Sequence, residues 1–232
     1  MAITPFLAMT ASEMRNCAQL PPKIAWMACH FSPYGKGLSN FPKSLPPDSL
    51  LIIDDITPIY SHDPEVITQQ LIQCLDTFSL SGVLLDFQRP ENPEAAELTQ
   101  YLIESLPCPV IVSEPYAPSG TVLLPPLPLT QSLETYLSTR QNQEVWLDLG
   151  CWGETLVLDE TGCQNTALPP WEFPAEGFAE ERLHCHYQIH NKENSVEFTL
   201  WRTKDDFSSL LEEAEGLGIH NAAGLYQEFL LL

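Results

Sequence analysis

The sequence predicts an α/β protein: a small, closed (β/α)8 barrel of the TIM type, some outer helices short or missing, with an antiparallel β-hairpin insertion before the last strand. Two observations carry this. Eight short apolar runs recur along the 232 residues; they are continuous rather than alternating, as suits parallel strands covered on both faces. Several are followed by segments with helical spacing, which makes βαβ crossovers. Eight such units favour a closed barrel over an open doubly wound sheet. A single domain over 1–232 follows, carrying an insertion at about 154–202.

The runs cover 5–9, 24–31, 50–55, 82–88, 110–114, 122–125, 145–150 and 222–229. Twenty-one prolines punctuate them, four of the pairs being Pro21-Pro22, Pro46-Pro47, Pro125-Pro126 and Pro169-Pro170; proline neither continues a helix nor donates to a ladder. After the third run, Asp63-Pro64-Glu65 supplies a cap, a first-turn proline and an early acid, and Val66, Ile67, Leu71, Ile72 and Leu75 then recur on one side. Asn92-Pro93-Glu94 repeats the signal after the fourth, ahead of Ala95, Leu98, Leu102 and Ile103. Two further helices are predicted over 130–137 and 203–217. The stretches after the first, second and fifth runs leave little room for full helices.

The stretch 154–202 differs. A strand and turn at 155–162 and a hairpin of 183–189 with 195–201 make an antiparallel insertion. Between them 172–181 reads as an acidic, solvated loop, and His184, His186 and His190 as exposed hairpin histidines rather than metal ligands, since no recognised zinc spacing accompanies them.

Ten Lys and Arg against 31 Asp and Glu give a net charge of −21, which argues against nucleic acid and anionic membrane as partners. The first residues lack the basic start and apolar core of a signal peptide, and no apolar run is long enough to span a bilayer. Seven scattered cysteines, none two residues from another, read as reduced thiols of a cytoplasmic protein. No cofactor and no metal is implied.

Parallel barrel strands share one rim at their C-terminal ends, where such folds keep their sites. The ends here are acidic: Asp54 and Asp55 on the third run, Asp86 on the fourth, Glu114 on the fifth, Asp148 on the seventh and Glu228 on the eighth. Alternation sends Leu84, Asp86 and Gln88 to the interior and Val83, Leu85 and Phe87 to the helices. Phe31, Tyr34, Tyr116, Trp152 and Tyr226 are candidate stacking platforms at the rim, and the loop from Cys29 and His30 through Tyr34 to Asn40 is a candidate ligand contact.

The segment Ser81-Gly82-Val83-Leu84-Leu85-Asp86-Phe87-Gln88 resembles the fourth-strand signature of glycoside hydrolase family 18, the chitinase and endo-N-acetylglucosaminidase family, whose pattern is Asp-x-x-Asp-x-Asp-x-Glu. Asp86 matches the third aspartate, Gly82 the glycine that usually follows the first, and Phe87 the aromatic before the acid. Ser81 and Leu84 replace the first two aspartates, and Gln88 replaces the glutamate. The segments 203–218 and 222–229 resemble the family's last helix and strand.

In that family the glutamate protonates the leaving oxygen while the substrate's acetamido group attacks, oriented by the aspartate two residues earlier. A glutamine has no transferable proton, so Gln88 cannot be a general acid. The resemblance therefore implies a barrel that binds a carbohydrate or glycan-like ligand, Asp86 and Gln88 hydrogen-bonding it, without the family reaction. Two alternatives stand beside it. One is an active hydrolase whose proton comes from Glu228 or Glu114 with Asp86 or Asp148 assisting; the other is a structural or assembly protein acting through its insertion.

Overall fold

The computed structural model describes residues 3–59, 62–89, 92–117, 120–138, 140 and 143–230. In chain order its strands and helices are β1 (Phe6–Met9), α1 (Ala11–Asn16), β2 (Ile24–Phe31), β3 (Leu38–Ser39), β4 (Leu50–Asp54), α2 (Pro64–Phe78), β5 (Gly82–Asp86), α3 (Pro93–Ser105), β6 (Val110–Ser113), β7 (Thr121–Leu124), α4 (Leu133–Leu137) and β8 (Glu144–Asp148). Then come β9 (Gly153–Asp159), β10 (Gly162–Leu168), β11 (Phe178–Glu180), β12 (Cys185–Lys192), β13 (Ser195–Trp201), α5 (Lys204–Gly216), β14 (Asn221–Leu225) and α6 (Tyr226–Phe229).

Eight parallel strands close a barrel in the order β1-β2-β4-β5-β6-β7-β8-β14, and β1 seals it by pairing with both β14 and β2. Every predicted run supplies one of these strands. The thin places are where short loops foretold them: α1 has six residues, and a single 3-10 turn, Glu114–Tyr116, follows β6. Local chemistry starts four of the helices. The Asp63 carboxylate accepts from the amides of Glu65 and Val66, the Asn92 side chain accepts from those of Glu94 and Ala95, and Thr10 and Thr203 form capping boxes with Glu13 and Asp206.

Alternation sorts side chains into two layers. Phe6, Ala8, Ala25, Leu50, Ile52, Leu84, Ile111, Leu123, Trp146 and Ala223 fill the barrel. Leu51, Ile53, Val83, Leu85, Phe87 and Val112 pack outward on Ile67 and Leu71 of α2 and Leu98 and Leu102 of α3. Burying each such aliphatic contributes about 1.5–3 kcal/mol. Gly82 opens β5 without a side chain because a Cβ there would lie 2.8 Å from the Pro109 carbonyl oxygen.

The insertion is larger than a hairpin: a five-stranded antiparallel sheet in the order β10-β9-β13-β12-β11. The acidic segment expected to be solvated loop contributes β11 to its edge, since Phe178 to Glu180 find free ladder partners in Cys185 to Tyr187. The expectation is also corrected for two of the three histidines, while His190 is exposed as predicted. His184 is 5 % exposed, its Nδ1 3.1 Å from Ser209 Oγ and its Nε2 2.6 Å from Glu213 Oε2, while the half-buried His186 sits 2.8 Å from Asp206 Oδ2. Their partners all lie on α5, so these histidines dock the sheet on the barrel.

Arg202 completes the docking. Buried at 3 % exposure, it donates to four backbone carbonyls, those of Leu127, Pro128, Leu183 and His184, at 2.7–3.4 Å. Burial lowers its pKa from the ordinary value, partly offset by Cys185 and Asp206 nearby. One cation thus ties the segment after β7 to the segment before β12.

Candidate functional site at the mouth of the barrel

Strand register builds the site. His30, Asp54 and Asp86 are aligned across β2, β4 and β5, and the last two continue the inward row of Leu50, Ile52 and Leu84. His30 joins them because β2 is irregular between Trp26 and Cys29. Strict alternation would put Cys29 on the same side as Ala25; the extra residue sends Cys29 out to the helix layer and turns His30 inward. His30 Nδ1 then lies 2.7 Å from one Asp54 oxygen, and the other accepts the Ile56 amide at 3.0 Å.

β5 ends at Asp86, so Gln88, expected in the interior by strand alternation, stands instead just beyond the strand. It is exposed, and its side-chain amide donates to Asp86 Oδ1. Two buried groups fix this exit. Ser113 Oγ donates to the Phe87 carbonyl at 2.7 Å and accepts from its amide at 3.0 Å. Asp55, 4 % exposed, accepts from the backbone amides of Gln88 and Arg89 at 3.1 and 2.9 Å. Asp55, predicted as a ligand contact, therefore holds the loop that carries Gln88.

Across the mouth stand Asp148, at the end of β8, and Glu228. The last run, predicted as strand to Phe229, stops being strand at Leu225, where the chain turns into α6. A backbone tightly packed at Gly224, where a Cβ would meet the Phe229 ring at 2.7 Å, accompanies the turn. It leaves Glu228 buried, accepting from the Cys151 amide at 3.1 Å. Burial, then the charges of Asp86 and Glu228, push the Asp148 carboxyl up to about 7. Asp86 is raised by burial, drawn back by the Gln88 amide, and raised again by Asp54 and Asp55. Asp86, Asp148 and Glu228 thus form one electrostatic group, in which the Asp148 carboxyl titrates near neutral pH.

Glu114 stands apart from this group. It follows β6 directly and is ion-paired with Arg140. Tyr116 and Phe31 are also away from the mouth surface: both are buried in the helix layer against Phe87, with the Tyr116 hydroxyl donating to the Arg89 carbonyl. Tyr34 is 99 % exposed and Trp152 48 %, while Tyr226 is half-buried with its hydroxyl 3.0 Å from Cys17 Sγ.

The sequence reading missed three contributors. Tyr136 lies close enough to Asp148 for that charge, after burial, to help push its phenol up to about 12. Trp146, two residues before Asp148 on the same face, keeps its indole Nε1 buried in the barrel with no hydrogen-bond partner among the described residues. Ser113 is the third. Among the described residues no cluster of three His, Cys, Asp or Glu could hold a metal ion.

No family model matches the chain, and no curated protein matches it by sequence. Solved structures do match. A glycoside hydrolase family 18 N-acetylglucosaminidase from Paenibacillus barengoltzii superposes with a TM-score of 0.64 at 10 % identity, over 97 % of this chain and 96 % of that one. The chitinase-like agglutinin of Robinia pseudoacacia gives 0.60 at 10 % identity, over 98 % and 95 %. Human YKL-39, a pseudo-chitinase with retained chitooligosaccharide binding properties, gives 0.56 at 11 % identity, over 96 % and 92 %. The chain therefore has the fold of the chitinase-like barrels of glycoside hydrolase family 18.

Proposed function

We infer that the protein binds a carbohydrate at the mouth of its barrel and does not carry out the family's hydrolysis. The observation that carries this reading is Gln88, an amide hydrogen-bonded to Asp86 at the position the family pattern gives to its proton donor. Hydrogen-bonding groups for sugar hydroxyls remain in Asp54, Asp86, Asp148 and Gln88, and the exposed rings of Tyr34 and Trp152 offer stacking faces. The agglutinin and the pseudo-chitinase among the similar structures give precedent for such a barrel as a binder.

The test is a thermal-shift and calorimetric panel of chitooligosaccharides and other glycans, run beside fluorogenic N-acetylglucosaminides. Binding without turnover is expected, with a trace of hydrolysis gained in Gln88→Glu. Robust turnover by the unmodified protein would overturn the reading. A second reading rests on Asp148, since a carboxyl with a pKa of about 7 suits a general acid. Under it, turnover would vanish in Asp148→Asn and survive in Gln88→Ala.

A further inference from the structure

The insertion sheet ends in an unusual edge. β10 pairs with β9 over seven consecutive residues, Gly162 to Leu168, without a bulge, and its other side has no strand beside it among the described residues. Open edges are ordinarily protected by charge, proline, a bulge or brevity. β10 has none of these: its sequence is Gly-Cys-Gln-Asn-Thr-Ala-Leu, six of its seven residues are exposed, and the seventh is half-buried. In a chain with 41 charged Asp, Glu, Lys and Arg side chains and a net charge of −21, this stretch carries no charge at all.

We propose that β10 is a self-association edge, pairing antiparallel with β10 of a second copy about a two-fold axis through Asn165, so that two five-stranded sheets become one of ten strands. The occupant is a second copy because the strand complements itself. Under this symmetry Gln164 lies opposite Thr166, Cys163 opposite Ala167 and Gly162 opposite Leu168, so polar meets polar, the remaining pairs are uncharged and free of clashing bulk, and no like charges face each other. The acids at the adjoining turn, Asp159 and Glu160, are carried to opposite ends of the pairing. The two Glu160 residues would be ten positions apart, roughly 33 Å at ~3.3 Å per residue, well beyond a Debye length of about 8 Å. Within the paired span itself a strongly acidic chain therefore meets its copy without like-charge repulsion. A seven-residue strand pair is a small interface, so the dimer would be weak, with a Kd in the micromolar range or above.

Sedimentation of the full chain from about 1 to about 500 µM tests this, and a concentration-dependent dimer is expected. Gln164→Glu with Thr166→Glu puts two acidic pairs across the axis and should weaken the dimer at least tenfold, whereas Gln164→Glu with Thr166→Lys puts acid opposite base and should restore it. In a Cys163→Ser background, Asn165→Cys places two thiols at the axis, where facing Cα atoms about 4.5–5.5 Å apart fall within disulfide range. Mild oxidation should cross-link it, but not Glu160→Cys in the same background. A monomer throughout the concentration range, a dimer untouched by the double-acid variant, or cross-linking equal at both cysteine positions would overturn the proposal. All substituted positions are exposed, and matching thermal melts would show that each variant folds.

Discussion

Asp148→Asn makes a sharp test of the mouth's electrostatics. A carboxyl at about 7 in the fold and near 3.8 in the unfolded chain binds more protons when native throughout that interval. Stability is therefore lost as pH rises from about 4 to 7, because the unfolded chain releases its proton first. At ~1.36 kcal/mol per pKa unit the contribution comes to about 4 kcal/mol at pH 8. Asparagine resembles the protonated acid in shape and donates a hydrogen bond, so it keeps the low-pH packing and removes the cost of the charge. The variant should melt close to wild type at pH 4 and roughly 8–16 °C above it at pH 8, taking 2–4 °C per kcal/mol for a chain of this size. Scanning calorimetry of both proteins at the two pH values provides the assay, and the variant-minus-wild-type difference cancels the acid titration of the carboxylates that do not interact with Asp148, leaving its own term and its coupling to Asp86 and Glu228. A difference that is the same at pH 4 and pH 8, or that has the opposite sign at pH 8, would refute the reasoning.

The docking group, the exit group and the start of β5 each give one further prediction. Arg202→Met removes the donor to four buried carbonyls and should cost about 3 kcal/mol in urea unfolding, with the insertion strands gaining hydrogen exchange before the barrel strands do. Ser113→Ala leaves the Phe87 amide and carbonyl unpaired and should cost about 1–3 kcal/mol; sugar affinity would fall with it, because the exit that carries Gln88 loosens. Gly82→Ala forces a methyl group against the Pro109 carbonyl and should cost about 1–3 kcal/mol by chemical denaturation, since only a shift of the strand can relieve it.

The barrel was legible because its code is local. Continuous apolar runs, Asp63-Pro64 and Asn92-Pro93 state strand, cap and helix within a few residues of one another. The inward projection of Asp86 likewise followed from the pleat. What the sequence concealed depends on distance along the chain or on a break in regularity. The partners of His184 and His186 lie on a helix 20–29 residues further on. β10 carries no apolar alternation, because no element among the described residues covers it, and so it reads as loop. The irregularity in β2 leaves no composition signal, though it decides that His30 rather than Cys29 meets Asp54. Glu228 was found as a candidate, but its burial depends on a turn of α6 that an apolar run resembling a strand hides.

The seal formed by β1 bears on how the chain is made. Phe6 and Ala223 are ladder neighbours, yet at 5–20 residues per second a ribosome takes roughly 10–45 s to travel the ~220 residues between them. Throughout that interval the first strand must wait with one flank open, beside a row of apolar strands that have no lid. Chaperone dependence during synthesis, and a slow final step when the purified protein refolds from denaturant, are the natural outcome of closing a ring with its first and last pieces.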